Sequence, residues 1–220
     1  MKRVKLNFNE KRDISQHKSK ALSVNEWLDV WKIDKTYFDS DRYYGYGGYK
    51  YDGRWIKIVN DLIIKFNLNN NSTLLDLGCA KGYLVNDFND NKNVSIAVGL
   101  DISIYALLEG KKENINGELI CGNFTNLPFN ESEFSFIFCK DSLHNILDKM
   151  EICTAIKEIN RVGKDSWIRV GAYQSNAQKK IIDNWATLAT TYLHIEEWLE
   201  LFDKCDYQGS YDWFHPSEEL

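Results

Sequence analysis

The 220-residue chain reads as an α/β protein, a doubly wound, mostly parallel sheet of six to seven strands with helices on both faces. Three observations predict this. Short apolar runs alternate with segments of helical period. The runs are apolar at successive positions, as strands covered on both faces are. The first of them, "TLLDL", enters a turn bracketed by glycines, "GCAKG", the connection expected between a strand and the helix that packs on it.

Each element follows in order. "SVNEWLDVWKI" (23–33) opens with Ser23 three residues before Glu26, a capping-box spacing, and repeats apolar residues at helical intervals. "YFDSDRYYGYGGYKYDGRW" (37–55) is dense in Tyr and Gly, and a helix over about 54–66 ends in the polar run "NLNNNS". "TLLDL", "VSIAVGLDI", "ELICG", "FSFIFCK" and "SWIRVGAY" read as strands. "YLVNDFND", "IYALLEGKKENI" and "KMEICTAIKEINRV" read as helices between them. Helices near 176–190 and 195–203 precede a last strand in "YQGSYDWF". The organisation is an N-terminal extension over 1–53 (basic arm, helix, Tyr/Gly segment) and one domain over 54–220.

Composition narrows the class. Hydrophobic residues make up 44 % and charged residues 27 %, a globular balance. No uncharged apolar run approaches the roughly 18 residues of a membrane span, and the first twenty residues hold no stretch suited to a signal peptide. The five cysteines are dispersed without a C-x-x-C pair, which favours reduced thiols in a cytoplasm over a disulfide framework or a zinc site. Net charge is -5, and residues 1–20 carry seven Lys/Arg against two acids. The remainder is therefore about -10 by subtraction, without the excess a duplex-binding surface requires. A nucleic-acid partner is disfavoured, no membrane partner is expected, and the basic arm reads as solvated.

Three ligands compete for the turn after "TLLDL". A Walker A loop needs G-x-x-x-x-G-K-[ST], whereas Gly78 and Gly82 are separated by three residues and Tyr83 follows. A dinucleotide fingerprint needs G-x-G-x-x-G, and Ala80 and Lys81 break that spacing. Asp76, at the strand end, repels a pyrophosphate but suits an ammonium or sulfonium. S-adenosylmethionine carries both. The small residues Gly78, Ala80 and Gly82 allow close backbone approach, and Asp101, at the end of the second strand, supplies a carboxylate for ribose hydroxyls.

With these residues the chain resembles the class I S-adenosylmethionine-dependent methyltransferases, of Rossmann-like fold. "LLDLGCAKGYL" is similar to the family's first motif, which usually has a third glycine where Ala80 stands, and "GLDIS" to the second. "CGNFTNLPF" resembles the third, with Asn123 in place of the commoner Asp at the adenine amine, and "EFSFIFCKDSLHNI" the fourth, beside the methyl group. The likeness covers about 54–172 well and 173–214 loosely. The customary Pro-Gly-Gly turn is missing, and the last strand of the family's terminal hairpin is expected to be missing or very short. Carried over residue by residue, it implies a cofactor site of Asp76, Gly78, Cys79, Ala80, Gly82, Asp101, Ile102, Asn123, Phe124 and Lys140.

On the acceptor side, the fourth-motif loop lacks the "[DN]PPY" of enzymes that methylate base or glutamine amino groups. His144 and Asp141 lie on it. His144 reads either as a general base or as a structural residue, Asp141 as a second catalytic candidate for taking the proton, and no acid-plus-Asn set suggests a metal. Tyr44, Tyr46, Tyr49 and Arg54 read as acceptor contacts on a lid, or as parts of a packed aromatic loop. The expected function is methyl transfer to a small-molecule acceptor, foremost a hydroxyl of a saccharide or secondary metabolite, by a monomer or homodimer. A non-catalytic S-adenosylmethionine-binding partner and an RNA methyltransferase stay open as alternatives.

Overall fold

Strand β2 (Thr73–Leu77) lies near the middle of the sheet because its side chains are apolar toward both faces. Leu75 and Leu77 join one buried cluster and Leu74 the opposite one, with Asp76 on the Leu74 side. The computed structural model describes residues 1–8, 22–91 and 95–217. Among these, the other strands are β1 (Lys2–Arg3), β3 (Ile96–Asp101), β4 (Glu118–Cys121), β5 (Phe136–Lys140), β6 (Ser166–Tyr173), β7 (Leu193–His194) and β8 (Ser210–Phe214). The order is β1-β8-β6-β5-β2-β3-β4, with β7 beside β6, and each of the seven pairings is parallel. From β2 the chain winds outward to β3 and β4, then returns to β5 and winds the other way. The switch point lies between β2 and β5, and the crevice beyond their carboxyl ends is where such sheets take ligands.

Helices cover both faces. On one, α6 (Lys149–Val162) buries Ile152, Ala155, Ile156, Ile159 and Val162, the spacing of one helical stripe. Asp148 caps it by accepting from Met150 N. Beside it α8 (Ile195–Lys204) buries Trp198, Leu201 and Phe202. On the other face lie α3 (Trp55–Lys65), α4 (Tyr83–Asn89) and α5 (Ile104–Lys112). They pack Leu62, Phe88 and Leu107 into the cluster that holds Phe136, Phe138 and Trp167. Short helices α1 (Val24–Val30) and α2 (Lys35–Asp39) and α7 (Asn176–Trp185) complete the set.

Several expectations need correction. Among the described residues the sheet has eight strands rather than six or seven, because β1 and β7 have two residues each and so show no period in sequence. The basic arm is not wholly solvated. Lys2 and Arg3 pair with β8, Leu6 is buried, and Trp167 Nε1 donates to Val4 O at 2.8 Å. Residues 9–20 of the arm lie outside the described residues. Thus the extension is fastened to the sheet edge of the domain it precedes. The α7 helix stops at Trp185 rather than near 190. Residues 190 and 191 instead donate their backbone N–H groups to His144 O. Finally, Cys153 on α6 and Cys205 after α8 form a disulfide, Cα–Cα 5.2 Å. Their separation of 52 residues hid the pair from spacing rules.

Candidate active site

The turn after β2 is built by backbone constraint. Gly78 and Gly82 have φ of 81° and 79°, and Ala80 between them has 51°, so three residues in five take the left-handed conformation that glycine tolerates best. A Cβ on Gly78 would collide with Ser142 Oγ. The first turn therefore presses directly on the loop after β5, and bare backbone faces the crevice. Gly78 N and Cys79 N both donate to Leu100 O at 2.8 and 3.2 Å, which ties the turn to β3. The Cys79 side chain packs against Gly99 within the core, and burial pushes its thiol well up. Its expected place in the cofactor site is not one its side chain takes.

Two buried carboxylates stand at the strand ends. Asp101 Oδ2 accepts from Ala80 N at 2.8 Å and Oδ1 from Ser103 N at 2.8 Å, leaving lone pairs on both oxygens. Burial raises its pKa, against the pull of those N–H groups. Asp76, 5 % exposed, makes no hydrogen bond to any described residue. Burial, then the charge of Asp101, pushes it up to about 8, with Lys140 opposing. Beyond β3, Ile102 is 56 % exposed. Asn123 is exposed; its Oδ1 accepts from Thr125 N at 3.1 Å. Phe124 lies beside Gly78. A partnerless buried carboxylate, a second with free lone pairs, an exposed amide and an exposed apolar side chain fit an ammonium, a ribose diol and an adenine ring.

A cavity of about 750 Å³ adjoins this crevice. Asp141, His144 and Asn145 line it from the loop after β5; Tyr46, Tyr49, Arg54 and Trp55 from the extension and α3; Trp185 and Tyr192 from the segment after α7. The expected contacts Tyr46, Tyr49 and Arg54 are thus brought together. Tyr44 is not among the lining residues, and its hydroxyl donates to Glu26 on α1 at 3.2 Å. The Tyr/Gly segment is a packed aromatic layer: Tyr46 stacks on Phe38 at 5.6 Å and Tyr49 lies 4.8 Å from Tyr83. Arg54 is forked onto Asp52 at 2.6 and 2.9 Å at the rim. Sequence reasoning missed Trp55, Trp185 and Tyr192, whose placement depends on contacts far along the chain.

The two expected catalytic residues are both engaged. Asp141 holds Arg169 through Nε at 2.9 Å and Nη2 at 2.6 Å, and Lys140 Nζ at 2.8 Å. Lys140 lies over Trp55 and Arg169 over Phe8, at 5.3 and 4.1 Å from the ring centroids. Lys140 thus meets protein groups, with its charge felt at Asp76. His144 is buried in the 3₁₀ turn Leu143–Asn145, and its Nδ1 accepts from Gly171 N at 2.8 Å. The neutral ring therefore carries its proton on Nε2. A base would need an accepting nitrogen, and the one this ring has is occupied by β6.

Comparison with known proteins agrees with this geometry. A family model described as a methyltransferase domain matches residues 75–166. An uncharacterized protein of Methanocaldococcus jannaschii, MJ1252, is 28 % identical over 152 residues, 69 % of this chain and 52 % of its own, so the chain spans about half the length of that relative. Among solved structures, YcgJ of Bacillus subtilis is 18 % identical with a TM-score of 0.54, covering 67 % of this chain and 66 % of its own. An S-adenosylmethionine-dependent methyltransferase of Methanosarcina mazei is 20 % identical with a TM-score of 0.52, covering 65 % and 82 %. At such identities these two show a shared fold. With the glycine turn and the two strand-end carboxylates, the matched domain over residues 75–166 is similar to the class I S-adenosylmethionine-dependent methyltransferases.

Proposed function

We propose that the chain transfers a methyl group from S-adenosylmethionine to a small-molecule acceptor, at a hydroxyl rather than a nitrogen, with a saccharide or secondary metabolite as the class sought first. The observation that carries this reading is the cavity of about 750 Å³. Its size suits a metabolite, and its aromatic walls with a few polar groups suit a ring bearing hydroxyls. When bound, S-adenosylmethionine supplies a methyl group already activated on a sulfonium.

The chain's own residues supply positioning and electrostatics. Asp76 receives the ligand's ammonium and Asp101 its ribose hydroxyls, while Ile102, Asn123 and Phe124 hold the ring. Tyr46, Tyr49 and Trp55 form the acceptor wall and shield it from most of the solvent, which favours an aligned displacement. Asp141, in the cavity lining, fixes Arg169 and Lys140, and His144 shapes the wall, tilted against Tyr192 with ring centroids 5.3 Å apart. In this reading His144 is a positioning residue, and the acceptor oxygen gives its proton to water. No helix among the described residues is long and apolar enough to cross a membrane. We place the protein in the cytoplasm, with the Cys153–Cys205 bridge as the exception among its cysteines.

Incubation of the protein with cofactor labelled in the methyl group and a small-molecule cell extract tests the reading. Label should appear in a low-molecular-weight product. Label in RNA, or tight cofactor binding without any transfer, would replace this function with one of its rivals.

A further inference from the structure

Lys81 is the one residue of the cofactor turn whose charge has no task in the reading above. Its side chain is 3 % exposed, and lysine is rarely buried so fully unless paired. The ammonium lies 2.9 Å from both oxygens of Asp39 and 3.6 Å from Glu113. Asp39 ends α2, 42 residues earlier in the chain. Besides Lys81 it accepts from Tyr105 at 2.9 Å and from Tyr49 N at 3.1 Å. Burial alone would raise its carboxyl, but these partners outweigh it and hold it low.

A second route reaches the same place. Tyr83, the first residue of α4, holds its hydroxyl between two acceptors, Glu113 at 2.8 Å and Tyr49 O at 2.9 Å, and donates its one proton to either. Phe38, Tyr49, Ala80, Tyr83 and Ala106 form a small buried cluster between these polar contacts. Both routes leave the cofactor turn and end on the backbone of Tyr49, whose ring lines the acceptor cavity. Lys81 itself stands between Ala80 and Gly82, two of the three left-handed residues of the turn, so the shape of that turn decides where its side chain points.

We propose that the Lys81–Asp39 ion pair is a positioning pair that couples the cofactor turn to the acceptor wall, so that filling the turn orders Tyr46 and Tyr49. The pair's role rests on the methyltransferase reading of the site. It gives the enzyme an order of events: the acceptor wall is set once the cofactor is in place.

Hydrogen exchange with S-adenosylhomocysteine tests this without any acceptor. In the wild-type chain the ligand should slow the amides of Tyr46, Gly48 and Tyr49, which bond to Tyr37 O and Phe38 O, by about 5- to 50-fold, a typical coupling between sites. In Lys81→Met and in Asp39→Asn the ligand should still bind, more weakly by a similar factor, and slow those amides little. The double variant should be no weaker than either single one. A purely structural pair would lower the melting temperature and leave the ligand-induced protection intact, and that result overturns the proposal. Asp39→Asn decides the matter if Lys81→Met does not fold, since its amide still accepts from Tyr49 N. Wild-type chain that binds no S-adenosylhomocysteine overturns the methyltransferase reading and this inference with it. Binding without protection in the wild type overturns the inference alone.

Discussion

Asp76 is the group through which pH should control cofactor binding. Its carboxyl is buried, lacks a hydrogen bond to any described residue, and is pushed up to about 8 by burial and by Asp101. At pH 6.5 it is therefore mostly neutral. A cationic ammonium beside it favours the carboxylate, so binding at that pH should expel close to one proton. Below pH 8 affinity should then rise by up to about tenfold per unit, up to about 50-fold between pH 6 and 8. The same shift acts on the free protein. The folded pKa lies above the unfolded one, so unfolding releases the proton between about pH 4 and 8. Stability should fall as pH rises through that window, by at most about 1.4 kcal/mol per unit, and flatten above 8. Calorimetric titration with S-adenosylhomocysteine, in two buffers of different ionisation enthalpy, reads the proton count directly. Asp76→Asn should abolish both the proton release and the pH slope. Wild-type affinity that is flat from pH 6 to 8, with no proton released, would show Asp76 already ionised and refute this account of the site.

Other expectations follow from individual contacts. Ala80→Gly should leave stability unchanged or raise it by up to about 1 kcal/mol in a thermal melt, because φ of 51° costs alanine more than glycine. A loss above that would show the Ala80 methyl to be worth more in its buried cluster than the strain it carries. Gly78→Ala should cost about 1–3 kcal/mol of stability and weaken S-adenosylhomocysteine, since the new Cβ meets Ser142 Oγ; adding Ser142→Gly should recover part of the loss. His144→Phe should cost about 1–3 kcal/mol through the stranded Gly171 N–H. The wild-type rate should show no limb near the ordinary histidine pKa, and a limb there that disappears in the variant would restore His144 as the base.

The parts of this molecule legible in its sequence are those set by short-range pattern. The apolar runs on both alternating positions of 73–77 and 136–140 gave central strands, and the glycine spacing at 78–82 placed a backbone turn at the switch point. Asp76 and Asp101 were recognisable because a strand end fixes where a carboxylate must sit. What escaped depends on distant partners. Lys2 and Arg3 pair with a strand more than 200 residues away, and two residues carry no period. Lys81 looks like a solvated charge until Asp39 is beside it. His144 was ambiguous because the nitrogen that decides its tautomer is met by the backbone of Gly171 on another strand. Cys153 and Cys205 became a pair once α6 and α8 packed side by side.

In the proposed site the turn at Gly78–Gly82, with Asp76 and Asp101, holds S-adenosylmethionine. Titration of the protein with S-adenosylhomocysteine, NAD and ATP in parallel at pH 8 reads this choice of ligand. One S-adenosylhomocysteine should bind per chain, weakened by about 1.5–3 kcal/mol in Asp101→Ala, with no comparable binding of NAD or ATP. Tight binding of NAD or ATP with none of S-adenosylhomocysteine would contradict it.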